Sequence, residues 1–377
     1  MITSKTMTGL RLVIVQRVIT PYRYELLDKL APHFKSIRIV SSCGERSGAA
    51  KAANITSRET NVTVRWLNSI RLSYSGESRS QSFFLYPQSI FEIIRGDTIL
   101  LEGTTNLINN LYLVPIARLP GGKIAWWDAG YPLPEHSSRR KRIDLLISLL
   151  IRTTDIQIAY RPKAKEYMIE HISAQNCSTV LNTIFTTYLE NAREEIINSI
   201  GKHELDKSNI KLLYVGAVEE RKKILELIEL LQKIPTKARH YHLTIIGDGD
   251  HLAACKLFVK SNNINNITFA GRIYELNELK PYYLTADLFV MPGDGGLAIA
   301  QSLLFGLPAI CIATDGTDGT ERDYIDDKNY ILNDFDKLPR FLENFPQHYD
   351  RKTVLPAFDR LLDNKFISAI KQTLEIY

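Results

Sequence analysis

The sequence predicts two α/β domains, each built on a parallel sheet, in one chain of 377 residues. Three observations predict this. The chain is too long for one ordinary core. Short apolar runs alternate with helical patterns, as in sheets covered on both faces. That alternation lapses near residue 187 and restarts near residue 210. The expected division is a first domain over 1–187, a linker over 188–207, a second domain over 208–355 and a C-terminal helix over 356–377.

In the first half, strands are expected over 12–15, 36–40, 62–67, 98–101, 123–127 and 156–159. Helices are expected over 24–30, 89–95 and 140–150, and a polar helical segment over 188–207 closes this half. The second half offers strands over 210–215, 242–246, 266–270, 288–291 and 309–313, with helices over 221–232 and 277–283. The last segment repeats Phe358, Leu361, Leu362, Phe366, Ile367 and Ile370 near helical spacing, one apolar face of a helix.

Composition narrows the function classes. Hydrophobic residues make up 45% and charged residues 24%, which is globular. The longest apolar run, 145–151, falls well short of a bilayer span, and residues 12–15 are too short for a signal peptide core. Cys43, Cys177, Cys255 and Cys311 show no metal-type spacing and suit a reducing cytosol, with the chain soluble or peripheral on the inner face of a membrane. The net charge of +5 hides an asymmetry: residues 1–188 carry 24 Lys and Arg against 14 Asp and Glu, the remainder 23 against 28. A basic half favours an anionic surface or ligand. No G-x-G-x-x-G follows either first strand, and neither a P-loop nor G-x-S-x-G occurs, which disfavours dinucleotide enzymes, P-loop NTPases and serine hydrolases.

The richest stretch is 286–308: a buried strand, then Pro292-Gly293-Asp294-Gly295-Gly296, then a helix ended by Gly306-Leu307-Pro308. Glycines before a helix N-terminus let a phosphate approach unpaired backbone N–H groups. Such a seat lies at the C-terminal end of a strand, where open α/β sheets hold ligands. A tight turn with no ligand is the plain alternative.

Four elements in register carry a resemblance. They are Leu213-Tyr214-Val215-Gly216-Ala217-Val218 with Glu219 to Lys223, Thr244-Ile245-Ile246-Gly247-Asp248-Gly249, Phe269-Ala270-Gly271-Arg272, and the 286–308 signature. In order and spacing they resemble the nucleotide-sugar domain of GT-B glycosyltransferases, the retaining family four, or glycosyl transferases group 1. In the first half Pro21-Tyr22-Arg23, Trp126-Trp127-Asp128-Ala129-Gly130, Arg139-Arg140, Ala159-Tyr160 and Leu181-Asn182-Thr183 resemble elements of one subgroup. The resemblance implies two Rossmann-like domains facing a cleft and a C-terminal helix that crosses back to the first.

It also implies roles. Lys222 stands at the pyrophosphate lysine, where a cation offsets charge on the leaving nucleoside diphosphate; a solvated helix start is the alternative. The partner arginine is replaced by Ala217, leaving Arg221 or Arg272 to stand in. Gly216, Gly249, Gly295, Gly296 and Leu297 line the phosphate seat. The family's two glutamates fall on Gly293 and Gln301, so that Asp294 is left to contact the sugar and the Gln301 amide to meet the ribose. Glu321 matches a further glutamate of the donor site or simply satisfies a helix dipole. Asp128, replacing a histidine, and Glu102 are candidate acids or bases at strand ends. Arg17 and Arg23 suit an anionic acceptor. Trp126 is read as core and Trp127 as a sugar platform, the strand phase deciding which is which. Residues 139–142, Arg-Arg-Lys-Arg before an apolar run, either rest on an anionic membrane or begin a buried helix.

The expected function is transfer of a sugar, with retention, from a nucleotide-diphosphate sugar to an acceptor glycan carried on a lipid diphosphate, in bacterial surface polysaccharide synthesis. No cofactor beyond the co-substrate, no metal and no nucleic-acid partner are expected. A nucleotide-sugar epimerase of the same fold, or a non-catalytic glycan- or nucleotide-binding relative, is the competing expectation.

Overall fold

A computed structural model describes residues 8–16, 19, 21–42, 61–75, 80–103, 107–119, 121–128, 138–183, 187–200, 202–204, 208–234, 239–293, 297–312, 323–325, 330–346 and 348–376. The chain forms two compact units, one of residues 1–186 with 363–377, the other of residues 187–362.

In the first unit the order is β1 (Thr8–Gln16), α1 (Pro21–Asp28), β2 (Phe34–Ser42), β3 (Val62–Leu67), β4 (Ile70–Ser75), β5 (Ser80–Leu85), α2 (Ile90–Ile93), β6 (Thr98–Glu102), α3 (Leu107–Arg118), β7 (Lys123–Asp128), α4 (Ser138–Arg152), β8 (Ile156–Ala159), α5 (Pro162–Ile172) and β9 (Cys177–Thr179). Seven of these strands make a parallel sheet in the order β3-β2-β1-β6-β7-β8-β9. The central strands are buried along nearly their whole length and mostly apolar because both faces are covered, as parallel sheets require. On one face Ile93, Leu113, Ile147 and Met168 from α2 to α5 pack against Val13, Ile99 and Trp126. On the other, α1 and the C-terminal helix Asp363–Ile376 pack on Leu12, Leu100 and Trp127. Strand alternation sends the two tryptophans to opposite faces, and both have 0% exposure.

The second unit runs α6 (Thr187–Ser199), β10 (Lys202–Glu204), β11 (Asn209–Val215), α7 (Ile224–Lys233), β12 (His240–Ile246), α8 (Leu252–Ser261), β13 (Ile267–Gly271), α9 (Leu276–Thr285), β14 (Leu288–Met291), α10 (Ala298–Leu304), β15 (Ala309–Ile312), β16 (Ile331–Leu332), α11 (Leu338–Glu343), β17 (His348–Asp350) and α12 (Leu355–Asp359). Its six-stranded parallel sheet has the order β13-β12-β11-β14-β15-β16. Helix α7 buries Ile224, Leu227, Ile228 and Leu231, one stripe at helical spacing. Both sheets reverse direction of growth once, at β1/β6 and at β11/β14. Those reversals are where doubly wound sheets open a crevice at their C-terminal edge.

Four expectations are corrected. Residues 188–207 are not one helix: α6 stops at Ser199, and β10 pairs antiparallel with β17. The segment 356–377 is two helices, of which only Asp363–Ile376 belongs to the first unit, with Phe366, Ile370 and Leu374 in its core. A β4/β5 hairpin stands where no element was expected. Finally, the helix expected from Arg221 begins only at Ile224, because Lys223 takes a left-handed backbone with φ 53°.

Candidate functional site

That broken helix start shapes the second unit's edge. Beyond β11 the chain passes through Gly216 and Ala217 into a single 3-10 turn, Glu220–Lys222. The Lys222 N–H donates to the Glu219 carbonyl at 2.9 Å, and the Lys223 N–H to that of Glu220 at 2.9 Å. Lys222 is held in the turn and is 7% exposed. In a continuous helix from Arg221 its backbone would lie elsewhere.

Glycines bring three strand ends together around this turn. The Gly216 N–H donates to the Ile246 carbonyl, the Val218 N–H to that of Asp248 and the His251 N–H to that of Val218, each at 3.0 Å. The Tyr214 hydroxyl donates to the Ala217 carbonyl at 2.7 Å. A Cβ on Gly249 would stand 2.2 Å from the Val218 carbonyl oxygen, so this approach needs glycine. Across the switch point, a Cβ on Gly293 would stand 2.5 Å from the Arg221 carbonyl oxygen and 2.8 Å from the Lys222 carbonyl carbon. The end of β14 is therefore packed on the lysine turn itself. The glutamate that the family pattern places at Gly293 does not fit this backbone.

Beyond β14, Leu297 caps α10 and Gln301 stands in its second turn, half-buried. The Gln301 Oε1 already accepts from the Tyr283 hydroxyl at 3.0 Å, so the oxygen offered to a ribose hydroxyl has only its second lone pair to give. Tyr283 is fully buried, which pushes its phenol above the usual range and keeps it a neutral donor. Arg351 fastens this region from behind. Buried, it donates to the carbonyls of Tyr283, Leu284, Ala286 and Phe305, satisfying groups that the ends of α9 and α10 leave open. Burial lowers its guanidinium pKa. Neither Tyr283 nor Arg351 belongs to a sequence motif, and burial was the only signal that marks them.

The two stand-in arginines are solvated and have carboxylate partners. Arg221 Nε donates to Glu219 Oε2 at 2.6 Å. Arg272 lies 3.6 Å from Asp248 and over the ring of Tyr274. Exposed pairs of this kind exchange partners at little cost. Asp294, Gly295, Gly296 and Glu321 lie outside the described residues, as does Arg17 of the first unit.

The first unit's edge differs. Asp128 ends β7, is 4% exposed, and accepts from the Trp126 indole N–H at 3.2 Å. Its side chain lies across Gly103, where a Cβ would stand 2.5 Å from Asp128 Oδ2. The half-buried Glu102 ends the adjacent strand, and Asn110 Nδ2 donates to its carbonyl at 2.7 Å and to that of Gly103 at 3.0 Å. Charges on Glu102 and Asp128 act on the half-buried Tyr160, whose phenol is raised chiefly by loss of water around it. So Glu102, Asp128 and Tyr160 share one strand-end cluster.

Arg23 and Trp127 depart from their expected places. The Arg23 guanidinium sits 4.3 Å from the centroid of the Trp127 ring, near Tyr160 and Phe366, and its Nη2 donates to Asn182 Oδ1 at 2.7 Å. Tyr160 meets the Trp127 ring edge-on at 5.2 Å, and Phe366 of the C-terminal helix lies at 5.9 Å. With no exposed face, Trp127 is core here and offers no open sugar platform. Arg23, 7% exposed, is an internal cation–π partner and not a surface arginine. Among the described residues no three His, Cys, Asp or Glu side chains stand together as a metal site, and no helix is long and apolar enough to cross a membrane.

Residues 195–334 match the family model of glycosyl transferases group 1. That segment contains the whole lysine turn and the β14 to α10 region. No curated protein sequence matches the chain. Solved structures do, at low identity. HepE of Anabaena, in complex with UDP, is 13% identical with a TM-score of 0.64, over 97% of this chain and 100% of that one. The lipopolysaccharide outer core galactosyltransferase WaaB gives 13% and 0.64, over 97% and 99%. A UDP-forming α,α-trehalose-phosphate synthase from Burkholderia vietnamiensis gives 13% and 0.62, over 98% and 97%. The fold is thus that of GT-B glycosyltransferases, two Rossmann-like domains with parallel sheets.

Proposed function

We propose that the protein is a glycosyltransferase that takes a nucleotide-diphosphate sugar at the β11/β14 edge and passes the sugar, with retention, to an acceptor glycan. One observation carries this reading: the buried Lys222 turn packs on Gly293 at the switch point, beside the glycine-lined ends of β11 and β12. A cation held beside close-approaching backbone suits a diphosphate, the group that must leave with a full extra charge. HepE, with a similar fold, was solved with UDP and with UDP-glucose, which supports a uridine donor as the first to test.

Lys222 would stabilise the departing diphosphate. Gln301, steadied by Tyr283, would meet the ribose through its amide N–H groups and remaining lone pair, and Asp294 would approach the sugar. In a retaining displacement the acceptor oxygen bonds to the anomeric carbon on the face the diphosphate leaves. The proton of the acceptor hydroxyl goes to that leaving phosphate. Protein groups then contribute position and charge rather than a nucleophile. Asp128 and Glu102 would orient acceptor hydroxyls. A lipid-diphosphate-linked saccharide in bacterial surface polysaccharide synthesis fits the basic first half of the chain.

The test is thermal melting with UDP, GDP, dTDP and CMP, followed by donor turnover with candidate acceptors. A nucleoside diphosphate should raise the melting temperature of the intact protein and lose that effect in Lys222→Ala. No shift with any nucleotide overturns the reading. Donor binding with sugar isomerisation instead of transfer would assign an epimerase.

A further inference from the structure

Helices α2, α3, α4 and α5 stand side by side over one face of the first unit's sheet. Their inner sides supply the core described above. Helix α5 is mixed on its outer side, with Lys163, Glu166 and Glu170 beside Ile169, but α2 to α4 expose large apolar side chains where polar ones would be usual. In α4, Ile147, Leu150 and Ile151 point inward, while Leu145 (64% exposed), Leu146 and Leu149 (50%) point outward. A helix apolar on opposite faces is normally enclosed on both. The neighbours continue the pattern with Leu111 on α3 and Phe91 and Ile94 at α2. Of the large apolar side chains exposed among the described residues, only Ile70, Leu257 and Tyr274 lie off these four helices and the residue following each. Soluble surfaces rarely gather apolar side chains in this way without a partner.

Charge selects the partner. Helix α4 opens with Ser138-Arg139-Arg140-Lys141-Arg142 and ends at Arg152, against a single acid, Asp144. Apolar side chains bordered by a basic run match the boundary between acyl chains and anionic headgroups. An apolar protein partner would not call for that charge.

We propose that the outer side of α2 to α5 docks the protein on an anionic lipid bilayer, with Phe91, Leu145 and Leu149 entering the headgroup boundary. The inference deepens the reading of a lipid-linked acceptor by naming the surface that would meet its membrane. Its test uses no nucleotide or sugar, so the two readings fail separately.

The full chain is sedimented with vesicles of phosphatidylcholine alone and of phosphatidylcholine mixed with phosphatidylglycerol. Binding is expected only to the anionic vesicles, and should weaken as salt rises. Leu145→Gln with Leu149→Gln should reduce the affinity about tenfold or more, with the melting temperature unchanged because both side chains are exposed. Charge reversal by Arg139→Glu with Arg140→Glu is an independent variant and should also release the protein. No pelleting with anionic vesicles, or equal pelleting by the double leucine variant, overturns the proposal. So does a protein that self-associates through this face, dissociates in the leucine variant and ignores vesicles.

Discussion

The two sheets reverse at equivalent points, yet their C-terminal edges are built for different purposes. At β11/β14 the strand ends are joined by glycine contacts, and a buried lysine, Lys222, stands in a short turn. Beside the β1/β6 reversal the edge carries bulk: Arg23 of α1 lies over Trp127 of the neighbouring β7, with Tyr160 and Phe366 closing around them. A glycine edge lets the strand ends and the turn close on one another, backbone against backbone. An aromatic edge uses the same location to anchor a helix from the far end of the chain. A basic residue at a switch point is therefore not by itself a ligand contact. Lys222 and Arg23 are equally buried, and their surroundings separate them.

The largest expected effect attacks the aromatic edge. Trp127→Ala should cost about 3–5 kcal/mol of stability, measured by urea unfolding, since it empties the space between Arg23 and the C-terminal helix. A variant that keeps its stability and instead weakens acceptor use would restore the sugar-platform role and break the comparison.

Next comes the glycine edge. Lys222→Ala should lower donor turnover about a hundredfold to a thousandfold, as loss of one charge-stabilising group does, in steady-state kinetics at saturating acceptor. An unchanged rate would mean that Lys222, like Arg23, serves only the fold.

Gly293→Ala sharpens the point at smaller scale. Its methyl group meets the Arg221 carbonyl, so the lysine turn must move, at about 1–3 kcal/mol by thermal denaturation. Nucleotide binding should fall in the same variant. If Gly293→Glu binds donor better than the parent, the turn is not held by this contact.

The smallest effect concerns pH and lies away from both edges. Asp97, just before β6, accepts from the Arg11 side chain and from its backbone N–H at 2.8 Å, and this pairing lowers its carboxyl pKa. The folded state therefore binds this proton less readily than the unfolded chain. Its contribution is fully present above the ordinary carboxylate value near about 4 and is lost as pH falls through the lower folded value. Melting temperatures between neutral and acid pH should decline slightly less in Asp97→Asn than in the parent. The effect is small because the pair is largely solvated.

The sequence by itself determined the two-sheet architecture, because parallel strands buried on both faces must read as short apolar runs and their helices as amphipathic stripes. Local pattern was enough for that. The family resemblance added the expectation that Gly216 and Gly249 belong to one donor site; that Gly293 packs on the lysine turn came only from the structure. Only the tertiary structure decided that Lys223 breaks the helix and leaves Lys222 in a turn, because Gly293, some seventy residues on, packs against that backbone. It alone decided that Tyr283 holds Gln301, that Arg351 secures the ends of α9 and α10, and that Arg23 and Trp127 are sealed by Phe366. Each depends on contacts between residues far apart in sequence. Periodicity and motif spacing carry no trace of them, since the energy that selects them appears only when the chain closes on itself.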